Sequence, residues 1–350
     1  MTQLTHGGDW AGYRAQYGHD ALDFSANVSP LGLPQGVANA IAAALPHADR
    51  YPDPLCRALR AKLAPHEGIP AESILCGNGA ADLIFRLAWA AKPRTALVTA
   101  PTFAEYAAAL ESAGCAVRRH FLQAEVDFAV TDSILSSITP EVDMVFLCQP
   151  NNPTGQLTPL PLVERILRRC EACGALLVVD ECFLDFLPDC DALTAKALLD
   201  SKNLLILKAF TKLYAMAGVR LGDCLCANTA LLEAMQAAGQ PWAVSSLAQA
   251  AGLAALDETA YVAQVRALIA QQRPRLTAGL RALGLRVLDG RANYLLFQGP
   301  ETLGDALRQW GVVLRSCSNY PGLDGSWYRT AVRTGPENDE LLKTLAEVLA

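Results

Sequence analysis

The sequence predicts an α/β fold built around a largely parallel sheet, followed by a smaller domain. Short apolar runs at residues 95–99, 144–147, 176–179 and 204–207 alternate with segments of helical periodicity. Continuous apolar runs of this length are typical of strands that helices cover on both faces. At 350 residues the chain is long enough for about two domains of unequal size.

The pattern changes after Pro241, where an Ala- and Leu-rich helical stretch extends to about Leu283. Strand-like segments follow at 294–297 and 312–314, and a final helix is predicted from about Asn338. We therefore expect a large domain over residues 46–240 and a small α/β domain over 241–350. Residues 1–45 are expected to form an N-terminal segment that packs with the small domain and the substrate site.

Composition excludes several classes of function. The net charge is -6, and no run of Lys or Arg suggests a groove for nucleic acid. Residues 1–9 are polar, and no apolar stretch approaches the roughly 20 residues that a membrane span needs. With 52% hydrophobic and 18% charged residues, the composition suits a well-buried globular enzyme and leaves room for an oligomer interface.

The 11 cysteines are scattered along the chain. The closest pairs, Cys170/Cys173 and Cys224/Cys226, lie in apolar stretches without a second matching pair or a nearby histidine. Buried thiols in a reducing cytoplasm are the favoured interpretation, and a zinc site is the alternative. We therefore predict a cytoplasmic protein without a metal.

Lys212 lies in a segment that fits a cofactor site. It follows a strand-like run and precedes Arg220 by eight residues. A lysine amine can form the Schiff base that a carbonyl cofactor needs, and an arginine can bind a phosphate through charge-assisted bonds. Taken alone, Lys212 could also be an ordinary surface lysine, so the choice between the two interpretations depends on the surrounding motifs.

Polar groups follow two other predicted strands. Asp180 ends one of them, where its carboxylate could keep a pyridine nitrogen protonated or simply cap the next helix. Asn152, in the turn-like motif Gln149-Pro-Asn-Asn-Pro-Thr-Gly155, could donate its amide to a phenolic oxygen. Ligand groups in α/β sheets gather at such strand ends.

Two further motifs could surround a planar, phosphorylated ligand. The segment Cys76-Gly-Asn-Gly-Ala-Ala81 opens a predicted helix, whose first N–H groups bind phosphate well. Phe103, in Pro101-Thr-Phe103, offers a flat face for stacking, although an aromatic residue there also fits the core. Compatible groups at four strand ends favour one shared site.

These motifs resemble the fold-type I pyridoxal 5′-phosphate (PLP) enzymes, in particular the histidinol-phosphate aminotransferase branch, nearly from end to end. The resemblance implies an aspartate aminotransferase-like fold with PLP bound by the large domain. It implies that Lys212 forms the Schiff base, that Asp180 pairs with the pyridine nitrogen, that Asn152 holds the phenolic oxygen and that Phe103 stacks on the ring. It assigns the cofactor phosphate to Arg220, Thr211, the amides of Gly79 and Ala80, and Tyr51 from a second subunit of a homodimer.

More specific motifs resemble the L-threonine-O-3-phosphate decarboxylases of cobalamin biosynthesis. They are His6-Gly-Gly8, Asp23-Phe-Ser-Ala-Asn27, Pro30-Leu-Gly32, Pro101-Thr-Phe-Ala-Glu-Tyr106, Arg291-Ala-Asn-Tyr-Leu295 and Arg315-Ser-Cys-Ser-Asn-Tyr-Pro-Gly-Leu-Asp324. The resemblance places His6 and Asn27 near a substrate phosphate and gives Arg329 mainly the substrate carboxylate. Arg315 and Arg329 could then clamp two anionic groups of a phosphorylated amino acid.

The chain departs from these families at a few positions. Ala209 replaces a phosphate-binding serine, which removes a hydrogen bond worth roughly 1 kcal/mol. Ser29 stands where the decarboxylases have asparagine, and Trp242-Ala-Val-Ser245 replaces a Trp-Ser-Val-Asn pattern. Phe183 replaces the tyrosine usual in aminotransferases, as in the decarboxylases, and so favours that family.

Two activities remain open from the sequence. The resemblance implies decarboxylation of L-threonine O-3-phosphate to (R)-1-amino-2-propanol O-2-phosphate. The alternatives are transamination of a phosphorylated amino acid or amine and decarboxylation of a related substrate such as O-phosphoserine. A non-catalytic binding module is disfavoured because both Lys212 and Asp180 are present.

Overall fold

The computed structural model describes residues 6–350, which form an α/β structure. The strands are β1 (Leu22–Asp23), β2 (Ile74–Gly77), β3 (Thr95–Ala100), β4 (Ala116–Phe121), β5 (Met144–Cys148), β6 (Leu176–Asp180), β7 (Leu204–Ala209), β8 (Gly222–Cys226), β9 (Arg286–Val287), β10 (Tyr294–Gln298), β11 (Val312–Val313), β12 (Arg315–Ser316) and β13 (Trp327–Ala331). The α-helices are α1 (Trp10–Tyr17), α2 (Gln35–Ala44), α3 (Arg57–Glu67), α4 (Ala80–Ala91), α5 (Glu105–Ser112), α6 (Ile134–Ser137), α7 (Leu160–Cys173), α8 (Cys190–Leu193), α9 (Phe210–Leu213), α10 (Thr229–Ala238), α11 (Ser246–Ala255), α12 (Thr259–Ala282), α13 (Leu303–Gln309) and α14 (Gly335–Leu349). Short 3₁₀ helices lie at Leu45–His47, Ala71–Ser73, Ala124–Val126, Leu184–Phe186 and Ala195–Leu198.

The central sheet has seven strands in the order β2-β8-β7-β6-β5-β3-β4. Strands β3 to β7 pair in parallel, and β8 runs antiparallel to β2 and β7. The apolar runs at 95–99, 144–147, 176–179 and 204–207 form β3, β5, β6 and β7. The predicted α/β fold with a largely parallel sheet is therefore confirmed.

Alternate residues of the inner strands enter two separate cores. In β5, Phe146 packs into the core that contains α4 and α5 residues, whereas Val145 and Leu147 pack into the other core. Burial on both faces requires apolar side chains at every position, which made β5 easy to predict. Strand β4 was not predicted, because it lies at the sheet edge and carries the polar run Arg118-Arg-His120.

The carboxy-terminal region forms a second, antiparallel sheet in the order β12-β13-β10-β9. Helices α11 and α12 fill most of the stretch predicted to be helical up to Leu283. Helix α14 begins at Gly335, before the predicted start at Asn338, because Thr334 and Glu337 form a capping box. The prediction overlooked this box, although Thr334-Gly-Pro-Glu337 has its sequence pattern.

The N-terminal segment joins the carboxy-terminal region. Strand β1 pairs in parallel with β11, and the N–H of Ala331 donates to the carbonyl of Phe24 at 2.8 Å. Helix α2 packs on α11. These contacts bring residues 22–27 beside β13, while the domain boundaries at 45 and 240 stay predictions.

Candidate active site

The carboxyl ends of β5, β6 and β7 lie side by side at one edge of the central sheet. In the strand register, Asp180 is opposite Cys148 on one side and Leu207 on the other. The chain passes from β7 directly into α9, which carries Lys212. The sheet therefore brings Asp180 and Lys212 to the edge where α/β folds bind ligands.

Asp180 is almost completely buried, with 5% of its surface exposed. Its Oδ2 accepts a hydrogen bond of 2.5 Å from the hydroxyl of Tyr106, and its Oδ1 accepts one of 3.0 Å from the N–H of Cys182. Each carboxylate oxygen has a second lone pair. The side chain can therefore accept a further bond from a protonated ring nitrogen.

Lys212 is half-buried rather than exposed at the surface. Its Nζ lies 5.7 Å from the centre of the Phe183 ring. Burial, followed by the positive charge of Arg329, lowers the pKa of Lys212 to about 8. A sizeable fraction of the amine is thus neutral near neutral pH, which is the form that attacks a carbonyl.

We expect the rate at which PLP binds covalently to the apoenzyme to increase with pH and to level off above about pH 8. The reason is that only the neutral amine reacts, and the pKa of Lys212 is lowered to about 8. Stopped-flow absorbance between pH 6 and pH 10 measures this rate. A rate that keeps increasing up to pH 10 would show a lysine with an ordinary pKa.

The start of α4 forms a corner that fits a phosphate. Gly79 has a φ of 80° and precedes the 12-residue helix, whose first N–H groups have no partner within the helix. A Cβ at Gly79 would lie 2.5 Å from Nη2 of Arg220, so only glycine lets the guanidinium approach. A Cβ at Gly222 would meet the amide nitrogen of Ala80 at 2.6 Å. The corner therefore combines helix amides and a guanidinium, which suits the phosphate of PLP.

Arg220 and Thr211 are the two side chains of this chain that the resemblance also assigns to the cofactor phosphate. Arg220 adopts a φ of 65°, unusual for a residue with a side chain, and its Nη1 donates to the carbonyl of Ala217 at 3.2 Å. Thr211 is buried beside Lys212 in α9. Of the predicted phosphate residues, the structure thus brings Gly79, Ala80 and Arg220 together.

Arg329, on β13, is buried at the junction of the N-terminal segment with both sheets. Its Nη1 donates to Oδ1 of Asn152 at 2.5 Å, and its Nη2 donates to the carbonyl of Ser25 at 2.8 Å. With its amide oriented to accept, Asn27 receives Nη1 and Nε of Arg329 at 3.2 Å and 3.0 Å. Three residues from two separate parts of the chain therefore fix one guanidinium.

Arg315 lies next to Arg329, because the two residues are directly opposite in the pairing of β12 with β13. Side chains at paired positions lie on the same face of a sheet. Nη2 of Arg315 donates to Oδ1 of Asn319 at 2.7 Å, and the guanidinium lies 5.5 Å from the centre of the Tyr320 ring. The structure thus places the two predicted substrate arginines side by side.

His6 and Phe103 meet at the other side of the site. The two ring centres are 5.6 Å apart, and Nε2 of His6 lies 2.6 Å from Oε1 of Glu105. Phe103 is half-buried and also contacts Tyr106 edge-on. The hydrogen-bonding partner of His6 is thus a carboxylate, which the sequence did not predict.

Tyr51 has a different environment from the other predicted residues. It is 80% exposed, and its ring stacks on Trp242 with 4.4 Å between centres. Among the described contacts of this chain, Tyr51 has no hydrogen bond to the phosphate corner.

Sequence reasoning missed three residues that organise the site. Tyr106 binds Asp180, Ser25 holds Arg329 through its carbonyl, and the hydroxyl of Tyr294 donates to the carbonyl of Asn151 at 2.9 Å. All three occur within the motifs that carried the resemblance. The sequence motifs contained these residues, but their contacts join distant segments and could be recognised only from the folded structure.

Other predictions concern metals, membranes and thiols. All 11 cysteines are free, and nine of them are buried. Among residues 6–350, no three His, Cys, Asp or Glu side chains are grouped so as to hold a metal ion. No helix in this described range is both long and apolar enough to span a bilayer.

Comparison with known proteins agrees with the fold. Threonine-phosphate decarboxylase of Salmonella typhimurium is 40% identical over 332 residues, covering 94% of this chain and 91% of the relative. A histidinol-phosphate aminotransferase of Desulfitobacterium hafniense is 34% identical, covering 94% and 92% of the two chains. The crystal structure of the histidinol-phosphate aminotransferase from Clostridium acetobutylicum superposes with a TM-score of 0.87 at 28% identity, covering 93% of this chain and 98% of that one.

The sequence model of the family described as aminotransferase class I and II matches residues 19–346. This match covers most of the chain, and the aspartate aminotransferase-like fold predicted from the motifs is confirmed. The corner at Gly79, the buried Asp180 and the half-buried Lys212 fit the cofactor of that family. The chain therefore belongs to the aminotransferase class I and II family of PLP-dependent enzymes.

Proposed function

We propose that this enzyme decarboxylates L-threonine O-3-phosphate to (R)-1-amino-2-propanol O-2-phosphate and CO₂ for cobalamin biosynthesis. The observation that carries the proposal is the pair of buried arginines, Arg315 and Arg329, on neighbouring strands. A substrate with both a carboxylate and a phosphate matches two adjacent guanidinium groups. The 40% identical relative named threonine-phosphate decarboxylase supports the same substrate.

The residues of the chain have distinct tasks in this proposal. Bound PLP supplies the electron sink for a bond broken at Cα of the substrate. Asp180 would accept a hydrogen bond from the protonated ring nitrogen, and Asn152 would donate one to the phenolic oxygen. Lys212 would hold the cofactor until the substrate amine replaces it, and its amine, with a pKa lowered to about 8, would then deliver a proton to Cα.

Arg329 selects the bond that breaks. A bond at Cα is activated when it is perpendicular to the cofactor ring, so the group that holds the substrate carboxylate decides the reaction. Asn152, Ser25 and Asn27 fix the guanidinium of Arg329 before any substrate binds. The carboxylate would thus be received in one orientation.

Phe183 is a second feature that supports decarboxylation. Its ring packs edge-on against Tyr294 with 5.0 Å between centres, and the hydroxyl of Tyr294 is bonded to the carbonyl of Asn151. Neither ring therefore offers a free hydroxyl of the kind that the aminotransferase resemblance predicts at position 183. His6 and Asn27 are proposed to contact the substrate phosphate, which requires His6 to leave Glu105.

The alternative function is PLP-dependent transamination of a phosphorylated amino acid or amine. It is favoured by the 34% identical relative named histidinol-phosphate aminotransferase, and it would use the same Lys212 and Asp180. In that reaction Lys212 would move the Cα proton instead of returning one after CO₂ loss.

Product analysis separates the two functions. The holoenzyme would be incubated with L-threonine O-3-phosphate, O-phosphoserine or histidinol phosphate, each with and without a 2-oxo acid acceptor. We expect CO₂ from L-threonine O-3-phosphate without an acceptor, with PLP retained after many turnovers. Formation of pyridoxamine phosphate and a carbonyl product, without CO₂ from any substrate, would overturn the decarboxylase proposal in favour of transamination.

Replacing Arg329 with alanine should raise KM for the amino-acid substrate far more than it weakens PLP binding. The expected loss in kcat/KM is about 2–4 kcal/mol, because one charge-assisted clamp is removed. Steady-state kinetics and cofactor titration measure the two effects. Arg275→Ala is the matched control, since its guanidinium is half-exposed and pairs with Asp339. Equal damage to PLP affinity would mean that Arg329 is structural.

The proposal includes a homodimer whose partner subunit contributes Tyr51 to the cofactor phosphate. Support comes from the exposed aromatic pair of Tyr51 and Trp242, which are 80% and 44% exposed, with Leu55 at 39%. Exposed apolar groups of this size are typical of interfaces. A cytoplasmic location is proposed with it, because all 11 cysteines are free.

Sedimentation should show a species of twice the 37.4 kDa chain mass. If Tyr51 reaches the phosphate of the partner's cofactor, Tyr51→Phe should weaken PLP binding by about 5–10-fold through loss of one hydrogen bond, while the dimer persists. A fully active monomer would rule out a shared site.

A further inference from the structure

Tyr106 is a completely buried aromatic residue at the edge of the candidate active site. It lies in the first turn of α5 with no exposed surface. Its ring stacks on Phe146 with 4.8 Å between centres and an angle of 18°. The same ring meets Phe103 edge-on at 5.5 Å and 80°. These two contacts fix the direction in which the hydroxyl points.

The hydroxyl of Tyr106 donates to Oδ2 of Asp180 at 2.5 Å. Burial, followed by the negative charge of Asp180, raises the pKa of Tyr106 well above its usual range, and Cys148 adds to this shift. The phenol therefore keeps its proton and acts as a donor to the carboxylate. The hydroxyl of Tyr106 therefore binds one carboxylate oxygen of Asp180, and the N–H of Cys182 binds the other.

A buried tyrosine hydroxyl usually finds some partner, so a hydrogen bond alone is unremarkable. Two facts distinguish Tyr106. Its partner is the carboxylate proposed to face the cofactor ring nitrogen. The hydroxyl of Tyr328, which is also buried, instead contacts backbone groups, namely the carbonyls of Pro300 and Glu301 and the N–H of Gly304. In addition, the ring of Tyr106 supports Phe103, which is proposed to stack on the same cofactor.

We propose that Tyr106 is a positioning residue that orients Asp180 and keeps the shared proton on the ring nitrogen of the cofactor. The inference rests on the proposed placement of Asp180 against that nitrogen. The hydroxyl of Tyr106 and the N–H of Cys182 fix the orientation of the carboxylate and disperse its negative charge, so that Asp180 would accept a hydrogen bond from a protonated ring nitrogen. A protonated ring withdraws electrons best.

The experiment replaces Tyr106 with phenylalanine, which keeps the ring contacts and removes only the hydroxyl. The readout is the ¹⁵N resonance of the ring nitrogen in holoenzyme reconstituted with ring-labelled PLP. We expect the resonance to move from the value of a protonated pyridine toward that of an unprotonated one. We also expect kcat to fall about tenfold, the effect of losing one hydrogen bond to a charged group, with KM little changed.

Two companion variants distinguish the possible outcomes. Tyr328→Phe removes the hydroxyl of a similarly buried tyrosine that does not bind Asp180, so it should leave the ¹⁵N resonance unchanged. Asp180→Asn should remove the protonated signal altogether. If Asp180→Asn leaves the resonance unchanged, the proposed placement of Asp180 is wrong. If Asp180→Asn shifts it and Tyr106→Phe does not, only the role of Tyr106 is overturned.

Discussion

Lys212→Ala is expected to abolish both the visible absorbance of covalently bound PLP and the activity of the enzyme. Removing the amine eliminates the covalent link and the group that moves protons at Cα. General acid–base catalysis alone contributes about 10²–10⁴-fold, so the decrease in kcat should be at least about 10³-fold. Non-covalent binding of PLP should persist, because Gly79, Ala80 and Arg220 are untouched.

The matched control for this variant is Lys202→Ala. Lys202 precedes β7 in the same part of the chain but is exposed. It should retain the absorbance spectrum and the rate of the unmodified enzyme. A Lys212→Ala protein that retained both would assign the covalent link to another lysine.

The fold was predictable where burial constrains every residue. Strands β5, β6 and β7 are covered on both faces, so their apolar runs were visible in the sequence. The edge strand β4 was not predicted, because its solvent-exposed positions carry arginine and histidine and it therefore lacks an apolar run. Strand β8 was harder to predict because its first two residues, Gly222 and Asp223, interrupt the apolar pattern. Gly222 makes room for the phosphate corner, and Asp223 is a buried acidic side chain.

The site was predictable residue by residue but not in its contacts. Lys212, Asp180 and Arg220 follow strands in recognisable order, so the edge of the sheet could be anticipated. The partners Tyr106 and Ser25 lie 74 and 304 residues from the groups they bind. Such contacts depend on how distant segments pack together, and the periodicity of a single segment gives no information about that packing.

A group of buried charges beneath the site could not be anticipated either. Lys208, in β7, is 7% exposed and contacts Oδ1 of Asp185 at 3.1 Å and Oε2 of Glu67 at 3.4 Å. Asp223 is opposite Lys208 in the strand register and is 1% exposed. Its Oδ2 is buried and has no partner among the described residues.

The charges of this group depend on one another. Burial alone would lower the pKa of Lys208, but Asp185, Glu67 and the other carboxylates raise it well above its usual range. Burial raises the pKa of Asp223 to about 8 and that of Glu181 to about 7, although the charge of Lys208 opposes both shifts. Lys208 is therefore the central cation of a group that contains more acids than bases.

Lys208→Met should lower the free energy of unfolding of the apoenzyme by about 3–5 kcal/mol at neutral pH, since buried carboxylates lose their counter-ion. A cavity of about 340 Å³ adjoins the group and could admit water, which favours the lower end of this range. The folded-state pKa values of Asp223 and Glu181 lie above their unfolded values. Their contribution to stability is therefore fully present below about pH 4 and is lost as pH increases through 7 to 8.

The destabilisation caused by Lys208→Met should consequently be smaller at pH 5, where Asp223 and Glu181 are protonated, than at pH 9, where both carry charge. Urea denaturation of the apoenzyme at fixed protein concentration, measured at both pH values, gives this difference. Lys202→Met controls for loss of an exposed ammonium, and Lys208→Arg should restore much of the stability because it keeps the charge. A deficit of equal size at both pH values would mean that Lys208 contributes through packing of its aliphatic chain and not through its charge.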